Sequence, residues 1–274
     1  MQATPASDGD GVRLLRVFGG NNLARFDPFL MLDEFGSTEP RDYIGGFPPH
    51  PHRGFETVTY MLEGKMEHRD HMNNIGLLDA GDVQWMKAGA GVIHSEMPRQ
   101  EEGRMRGFQL WVNLPAAEKM TAASYRDIAA ADIPAYNLDG VQIKAIAGTL
   151  QVNGKELTGA VQGNSTQPAY LDIHAGTEAT ELVAVIPESH TALIYVYEGK
   201  VAIGDQRTGI QARQLARLSP GQQLRLSLEA ASRVLLIAGK PLGEPIVHYG
   251  PFVMNSRAEI EQAIADYNAG RLVG

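Results

Sequence analysis

The sequence predicts an all-β protein with two tandem β-barrel or sandwich domains and a short helix near its C-terminal end. Short segments rich in strand-forming residues are separated by turns about every 8–12 residues, a spacing typical of sandwiches and barrels. The 30 glycines and 15 prolines are scattered along the chain, which indicates many turns. Two short strings of the first half recur in the second half. The segment at 256–269 alone has a clear helical period.

The predicted strands of the first half follow one another closely. Residues 12–18 form a short, mostly apolar run that ends at the Gly-Gly-Asn-Asn sequence of 19–22. Residues 56–62 are rich in β-branched and aromatic side chains, which favour strands. Residues 114–135 lack this alternation and are predicted to be a linker with one short helical turn. Further strands are predicted at 29–32, 83–86 and 107–113, and a rigid loop is predicted at 45–49.

Two strings recur in the second half. Tyr-Met-Leu-Glu-Gly-Lys at 60–65 resembles Tyr-Val-Tyr-Glu-Gly-Lys at 195–200. Leu-Asp-Ala-Gly-Asp at 78–82 resembles Leu-Ser-Pro-Gly-Gln at 218–222. The recurrence predicts a duplicated domain.

We expect an N-terminal domain at 1–130 and a C-terminal domain at 131–274 that ends in a helix at 256–269. Ser256 and Glu259 form the capping-box pattern at the start of this helix. Its apolar residues follow the i, i+3, i+4, i+7 spacing of one helix face, at positions 260, 263, 264 and 267.

Composition excludes several classes of site. The net charge of −8 and the lack of a Lys/Arg run argue against direct binding of nucleic acid. With no cysteine, the chain has no disulfide, cysteine-ligated iron–sulfur cluster or thiolate metal site. No apolar run reaches the roughly 18 residues of a membrane span, and the first residues lack a signal-peptide pattern. We therefore expect a cytoplasmic protein without a membrane partner, and a monomer.

Two pairs of metal-ligand residue types stand out. His50 with His52, and His94 with Glu96, are each spaced i, i+2, which places both side chains on one face of a strand. Three imidazoles and one carboxylate suit a divalent first-row metal and leave open positions for a substrate and dioxygen. The second copy of the domain lacks both pairs.

Residues near these pairs have two interpretations each. Glu56 is in phase with His50 and His52, so it either accepts a hydrogen bond from a ligand or lies on the strand surface. Arg53 either steers an anionic species to the site or is a plain surface arginine. His68, Asp70 and His71 stand beside an Asn-Asn turn, and we expect a solvated hairpin tip there.

Longer strings resemble the pirin family of the cupin superfamily. These are His-Pro-His-Arg-Gly-Phe-Glu-Thr-Val at 50–58, Gly-Asp-Val-Gln-Trp-Met at 81–86, His-x-Glu-Met at 94–97 and Gly-Pro-Phe-Val-Met-Asn at 250–255. The resemblance implies a bicupin, with two jelly-roll-type β-barrels and a metal in the first domain alone. It also implies metal ligands at His50, His52, His94 and Glu96, with Fe(II) the typical metal and other divalent transition metals as alternatives.

The resemblance implies two functions. Bacterial relatives resemble quercetin 2,3-dioxygenases, so the first hypothesis is an enzyme that uses dioxygen to open the ring of a flavonol or enediol-like substrate. In that mechanism the substrate enolate binds the open metal position, with Glu96 as the catalytic base and Glu56 as the second choice. The alternative is an iron-dependent, redox-sensing regulator that binds transcription-related proteins.

Overall fold

A computed structural model of the chain describes residues 1–20 and 23–273, with the backbone alone for Leu23 and Ala24. Asn21 and Asn22, which the sequence places in the turn after the first predicted strand, lie outside the described residues. The chain packs into two compact units. The first unit contains residues 4–130 and 242–273, and the second contains residues 1–3 and 131–241.

The first unit is built from antiparallel strands in a seven-stranded sheet (β1-β2-β3-β10-β5-β8-β11), a four-stranded sheet (β4-β9-β6-β7) and a two-stranded ribbon (β24-β25). Short 3-10 turns lie at Leu23–Phe26, Pro40–Asp42, Ala116–Glu118 and Ala130–Asp132. The strands are β1 (Thr4–Asp8), β2 (Val12–Phe18), β3 (Phe29–Ser37), β4 (Phe47–His52), β5 (Phe55–Glu63), β6 (Met66–Asp70), β7 (Ile75–Leu78), β8 (Val83–Lys87), β9 (Val92–Pro98), β10 (Met105–Asn113), β11 (Ser124–Ile128), β24 (Val247–Tyr249) and β25 (Phe252–Met254).

The second unit contains two six-stranded antiparallel sheets, in the orders β12-β13-β16-β23-β18-β21 and β15-β14-β17-β22-β19-β20. Aliphatic residues from both sheets, among them Leu171, Ile194, Leu226 and Leu236, form its buried core. The strands are β12 (Ala135–Leu138), β13 (Val141–Ala147), β14 (Thr149–Val152), β15 (Lys155–Thr158), β16 (Ala169–Ala175), β17 (Thr180–Val185), β18 (Thr191–Glu198), β19 (Lys200–Ile203), β20 (Thr208–Gln211), β21 (Gln214–Arg217), β22 (Gln223–Leu228) and β23 (Arg233–Gly239).

The predicted helix is present as α1 (Arg257–Asn268). Ser256 is its N-cap and accepts a hydrogen bond from the backbone N–H of Glu259, as the capping box requires. The buried side chains of Ile260 and Ala263 pack with Phe252 of β25, and Ile93 of β9 packs against the same cluster. The apolar stripe of the helix therefore stabilises the region where one histidine-bearing strand lies.

The expected all-β fold class is confirmed, and two local predictions are wrong. Residues 114–135 contain the predicted short helical turn, at Ala116–Glu118, but they are more than a linker, because they also contain β11, which pairs with β8 in the seven-stranded sheet. The predicted loop at 45–49 is partly strand, since β4 begins at Phe47. The division into domains at 130 and 131 stays a prediction; in the compact units, the segment from Leu242 onward packs in the first unit.

Candidate metal centre

The two predicted ligand pairs lie on neighbouring strands. β4 and β9 pair antiparallel, with His50 directly opposite His94. β4 is an edge strand whose sequence, Phe-Pro-Pro-His-Pro-His, is tolerated because an edge position needs few backbone donors. The i, i+2 spacing gives each pair one common face, and the register of the two strands brings His50, His52 and His94 together. Glu96 lies opposite Phe47, beyond a register shift, and is not in this three-histidine group.

Three histidine rings form a tight cluster. The ring centroids of His50 and His94 lie 4.4 Å apart, and those of His52 and His94 lie 4.9 Å apart. The Nε2 atoms of His50 and His52 are 3.0 Å apart. One ring nitrogen from each of the three residues lies within 4.8 Å of the others, so this group can hold a metal ion.

The cluster fits a metal in two further respects. Two nitrogens bound about 2.1 Å from one ion at a right angle are separated by about 3 Å, the spacing of the His50 and His52 Nε2 atoms. The Nε2 atom of His94 is buried and has no hydrogen-bond partner among the described residues. Because a buried polar atom without a partner is costly, a ligand is the simplest explanation for its position.

Burial favours the metal-binding form of these rings. Burial and then the neighbouring rings lower the pKa of His94 well below its usual value, and burial followed by His50 lowers the pKa of His52 well below its own. Neutral imidazole is the form that binds metals. The site therefore disfavours protonation that would compete with an ion.

His68 corrects the prediction of a solvated hairpin tip. Its side chain is fully buried on β6, and its Nε2 lies 2.8 Å from Nδ1 of His94. This hydrogen bond leaves Nε2 of His94 free to face the cluster and fixes the orientation of that ring. The sequence gives no sign of the contact, because it depends on how β6 and β9 align.

The Glu96 carboxylate lies outside the three-histidine group and is held by other side chains. Oε1 of Glu96 is 2.9 Å from the Thr59 hydroxyl, and both carboxylate oxygens are 3.3 Å from Nε2 of Gln109. The same hydroxyl lies 2.7 Å from Oε1 of Gln109, so its single proton is shared between two acceptors. Neither Thr59 nor Gln109 is part of a sequence motif.

A cavity of about 730 Å³ opens onto this site. His50, His52 and Glu96 line one part of it. Much of the remaining wall is apolar and aromatic, including Trp111, whose ring packs on Phe55 with centroids 4.4 Å apart. Its size and lining are those of a site for a small organic molecule.

The two other predicted site residues have different surroundings. Arg53 is buried, its Nη1 is 2.8 Å from Asp266 of α1, and its Nε donates to the carbonyl of Ala90. Glu56 is a buried residue of β5, opposite Lys87, and is not among the described residues that line the cavity. Their predicted roles beside the ligands stay predictions.

Lys119 is a buried cation in the segment that the sequence predicted to be a linker. Its Nζ donates to the carbonyls of Gly54 and Val253 and to Oδ1 of Asn113, at 2.6, 3.0 and 2.6 Å. Burial lowers its pKa to about 8. Gly54 turns the chain two residues after His52 with a φ of +92°, and a Cβ there would collide with the Val253 carbonyl.

A polar row crosses the seven-stranded sheet beneath Glu96. We use "polar row" for Arg16, Asp33, Gln109, Thr59 and Gln84, which are consecutive cross-strand partners on β2, β3, β10, β5 and β8. Arg16, Asp33 and Gln109 line the cavity, and Gln109 and Thr59 contact Glu96. The row thus connects one end of the cavity wall to the candidate metal site.

The β fold and the histidine cluster together define a protein of the cupin type. A family model described as Pirin matches residues 11–112, and one described as Pirin C-terminal cupin domain matches residues 170–273. The chain belongs to the pirin family. The expected architecture of two cupin domains is confirmed by these matches.

Relatives of this chain have names of two kinds. A protein of Pseudomonas aeruginosa named "Putative quercetin 2,3-dioxygenase" is 55% identical over 98% of this chain and 94% of its own length. The pirin of Homo sapiens is 42% identical over 95% of this chain and 88% of its own. A crystal structure of quercetin 2,3-dioxygenase from Acinetobacter baumannii is similar with a TM-score of 0.89 and 37% identity, over 99% of this chain and 96% of the other.

Within the described part of the chain, the helices are too short or too polar to cross a bilayer.

Proposed function

We propose that this protein is a metal-dependent dioxygenase that opens the ring of a flavonol or a similar enediol-bearing aromatic compound. The observation that carries the proposal is the cavity of about 730 Å³, largely apolar, that ends on His50, His52 and Glu96. The names of the bacterial relatives at 55% and 37% identity support this class of reaction.

His50, His52 and His94 would hold the metal, with Glu96 as the fourth ligand and Fe(II) as the ion. A divalent metal supplies a Lewis acid that lowers the pKa of a bound hydroxyl. The four side chains come from only two strands, so they leave the cavity side of the site open to a substrate.

Glu96, while on or near the metal, is the group that takes the substrate hydroxyl proton. Its carboxylate lines the cavity, and Thr59 and Gln109 fix its position through hydrogen bonds of 2.9 and 3.3 Å. A fixed carboxylate next to the reacting hydroxyl loses no free energy to reorientation during proton transfer. Trp111 presents an aromatic wall to a flat substrate, and much of the remaining lining is apolar.

The test combines metal analysis with oxygen uptake. The purified protein is loaded with Fe(II) without oxygen, mixed with quercetin and then exposed to oxygen, while an electrode records oxygen and a spectrometer records quercetin absorbance. We expect coupled loss of both in the wild type, little loss in His94→Gln, and normal loss in His174→Gln, which changes a second-unit histidine paired with Asp172.

Unchanged absorbance with the iron-loaded wild type would rule out this activity on quercetin. A ferrous form and a ferric form that then retain different protein partners would support the regulatory alternative instead.

A further inference from the structure

The cavity has a charged end as well as a candidate metal end. Arg16 and Asp33 form a bidentate ion pair, with Nε to Oδ1 at 3.0 Å and Nη2 to Oδ2 at 2.8 Å. Asp33 is only 2% exposed, whereas Arg16 keeps about a third of its side chain accessible. Both side chains line the same cavity as His50 and Glu96.

The polar row gives the separation of the two ends. Asp33 lies opposite Gln109, and Arg16 lies opposite Asp33, so two strand spacings of nearly 5 Å separate Arg16 from Gln109. The amide of Gln109 contacts Glu96. A planar molecule of two or three rings, about 10 Å long, therefore reaches from the metal end to the charged end.

The fold itself does not require this ion pair. In the repeat, Thr59 corresponds to Ile194, because the strings at 60–65 and 195–200 match. Following the register from Ile194 leads to Leu236, then to Leu171 and then to Ala145. Leu171 and Ala145 thus stand where the first unit has Asp33 and Arg16.

An ion pair that buries a carboxylate, as this one buries Asp33, rarely adds stability over apolar residues. The second unit fills the equivalent positions with aliphatic side chains and buries them in its core. The charges in the first unit are therefore better explained by what the cavity binds than by what the sheet needs.

The charge balance at this end selects the chemistry of the ligand. Asp8 and Asp10 also line the cavity, and Oδ2 of Asp8 is 3.4 Å from Nη2 of Arg16. Two carboxylates, those of Asp8 and Asp33, against one guanidinium leave a net negative charge that repels an anionic group. Each carboxylate oxygen has a second lone pair that can accept a hydroxyl proton while Arg16 stays bound to Asp33.

We propose that the Arg16–Asp33 pair recognises phenolic hydroxyl groups at the end of the substrate remote from the histidines. The inference rests on the proposed function for the position of the reacting group, and it narrows the substrate to uncharged, planar, polyhydroxylated aromatic compounds. Arg16 and Asp33 are specificity-determining residues in this scheme and do not touch the reacting atoms.

The test measures binding without turnover. Metal-loaded protein is titrated anaerobically with quercetin and with 3-hydroxyflavone, which keeps the metal-binding hydroxyl and ketone but lacks the outer-ring hydroxyls. Quenching of tryptophan fluorescence reports binding, since Trp111 lines the cavity. We expect wild-type protein to bind quercetin about tenfold more tightly, the effect of one or two hydrogen bonds.

Arg16→Ala/Asp33→Leu, which has the second unit's residues at these positions and no side-chain hydrogen-bonding group, should bind the two compounds with equal affinity. The matched control is Arg13→Ala/Asp42→Leu, an ion pair that also involves β2 but does not line the cavity among the described residues; it should keep the tenfold preference. If the first double variant does not fold, Arg16→Met/Asp33→Leu replaces it, because methionine restores more of the arginine's volume and adapts to irregular space.

A preference for quercetin that survives in the cavity variant overturns the inference, and so does a wild type that binds neither compound. Oxygen uptake separates this result from the proposed function. Selective binding without oxygen uptake contradicts the dioxygenase and leaves the recognition site standing. Oxygen uptake without a binding preference supports the dioxygenase and contradicts the recognition site.

Discussion

The two units place opposite chemistry at equivalent positions of the same kind of sheet. The polar row of the first unit carries Arg16, Asp33, Gln109 and Thr59. The equivalent row of the second unit carries Ala145, Leu171, Leu236 and Ile194, all of them buried in its aliphatic core. A cupin sheet can therefore be filled with hydrocarbon, and the first unit has polar side chains where hydrocarbon would suffice.

The difference between the two rows identifies residues of the candidate site in the first unit. Polar groups inside a sheet cost free energy unless hydrogen bonds offset their loss of water. In the first unit, polar side chains occupy one row of the sheet. This row contacts Glu96 and lines part of the cavity. The second unit has aliphatic residues in that row, and it also lacks the histidine and glutamate pairs.

A polar residue placed in the aliphatic row of the second unit should have the largest effect on stability. Leu236→Gln gives the second unit the side chain that the first has at Gln109. We expect a loss of about 4 kcal/mol in the free energy of unfolding, from the lost apolar contacts and an amide without partners. Denaturant titration measures it, with Leu236→Met as the control, and a loss below about 1 kcal/mol would contradict the equivalence.

Removing one histidine tests whether the first unit holds a metal. His94→Ala deletes the ring that joins His50 and His52 in the cluster. We expect its affinity for Fe(II) to fall by more than about 100-fold, the upper range for changes in outer hydrogen bonds. Metal content after dialysis measures this effect. Equal metal content in His94→Ala and wild type would contradict the site, while His174→Gln should retain the wild-type value.

Lys119 makes the stability of the first unit depend on pH. Its folded-state pKa of about 8 is below the ordinary value of 10.5, so folding disfavours its charged form. That penalty is fully present below pH 8 and disappears as the pH rises from 8 to 10.5. Relative to Lys119→Met, the wild type should gain up to about 3 kcal/mol in unfolding free energy over this range.

Urea titrations of both proteins at several pH values between 7 and 10.5 measure the difference. Lys155→Met, which changes an exposed lysine, should show no such trend. If the difference in unfolding free energy between the wild type and Lys119→Met stays constant with pH, folding does not change the pKa of Lys119.

An aliphatic residue placed in the polar row should have the smallest effect on stability. Gln109→Leu copies Leu236 and removes one of the two side chains that hold Glu96. We expect the free energy of unfolding to change by less than about 1 kcal/mol, while metal affinity falls about tenfold. Competition with a chelator measures the affinity, and a large loss of stability with unchanged affinity would assign Gln109 to the fold instead.

Local spacing predicted much of this molecule. The i, i+2 pairs at His50 and His94 were recognisable because a strand sets the direction of alternate side chains without help from the rest of the chain. The capping box at Ser256 was recognisable for the same reason. The matching strings at 60–65 and 195–200 indicate the duplication from the sequence alone.

Contacts that depend on register were not predictable. His68 reaches His94 only because β6 and β9 are neighbours, and the polar row exists only in the alignment of five strands. Glu56 would share a face with His50 and His52 on one continuous strand, but the chain leaves β4 and turns at Gly54 before β5 begins. Lys119 resembled a linker residue because two of its three acceptors, Gly54 and Val253, lie far away in the sequence.

The contacts of Arg53 have a consequence for the order in which the protein matures. Its backbone bonds to Pro251 and Val253, and its side chain bonds to Asp266, all within the last part of the chain. Ribosomes synthesise that part after every histidine of the cluster has already emerged. The surroundings of His52 are therefore completed only after residue 266 has been synthesised. At a synthesis rate of about 5–20 residues per second, a nascent chain carries the ligands for roughly 10 to 35 seconds before it can build their final enclosure.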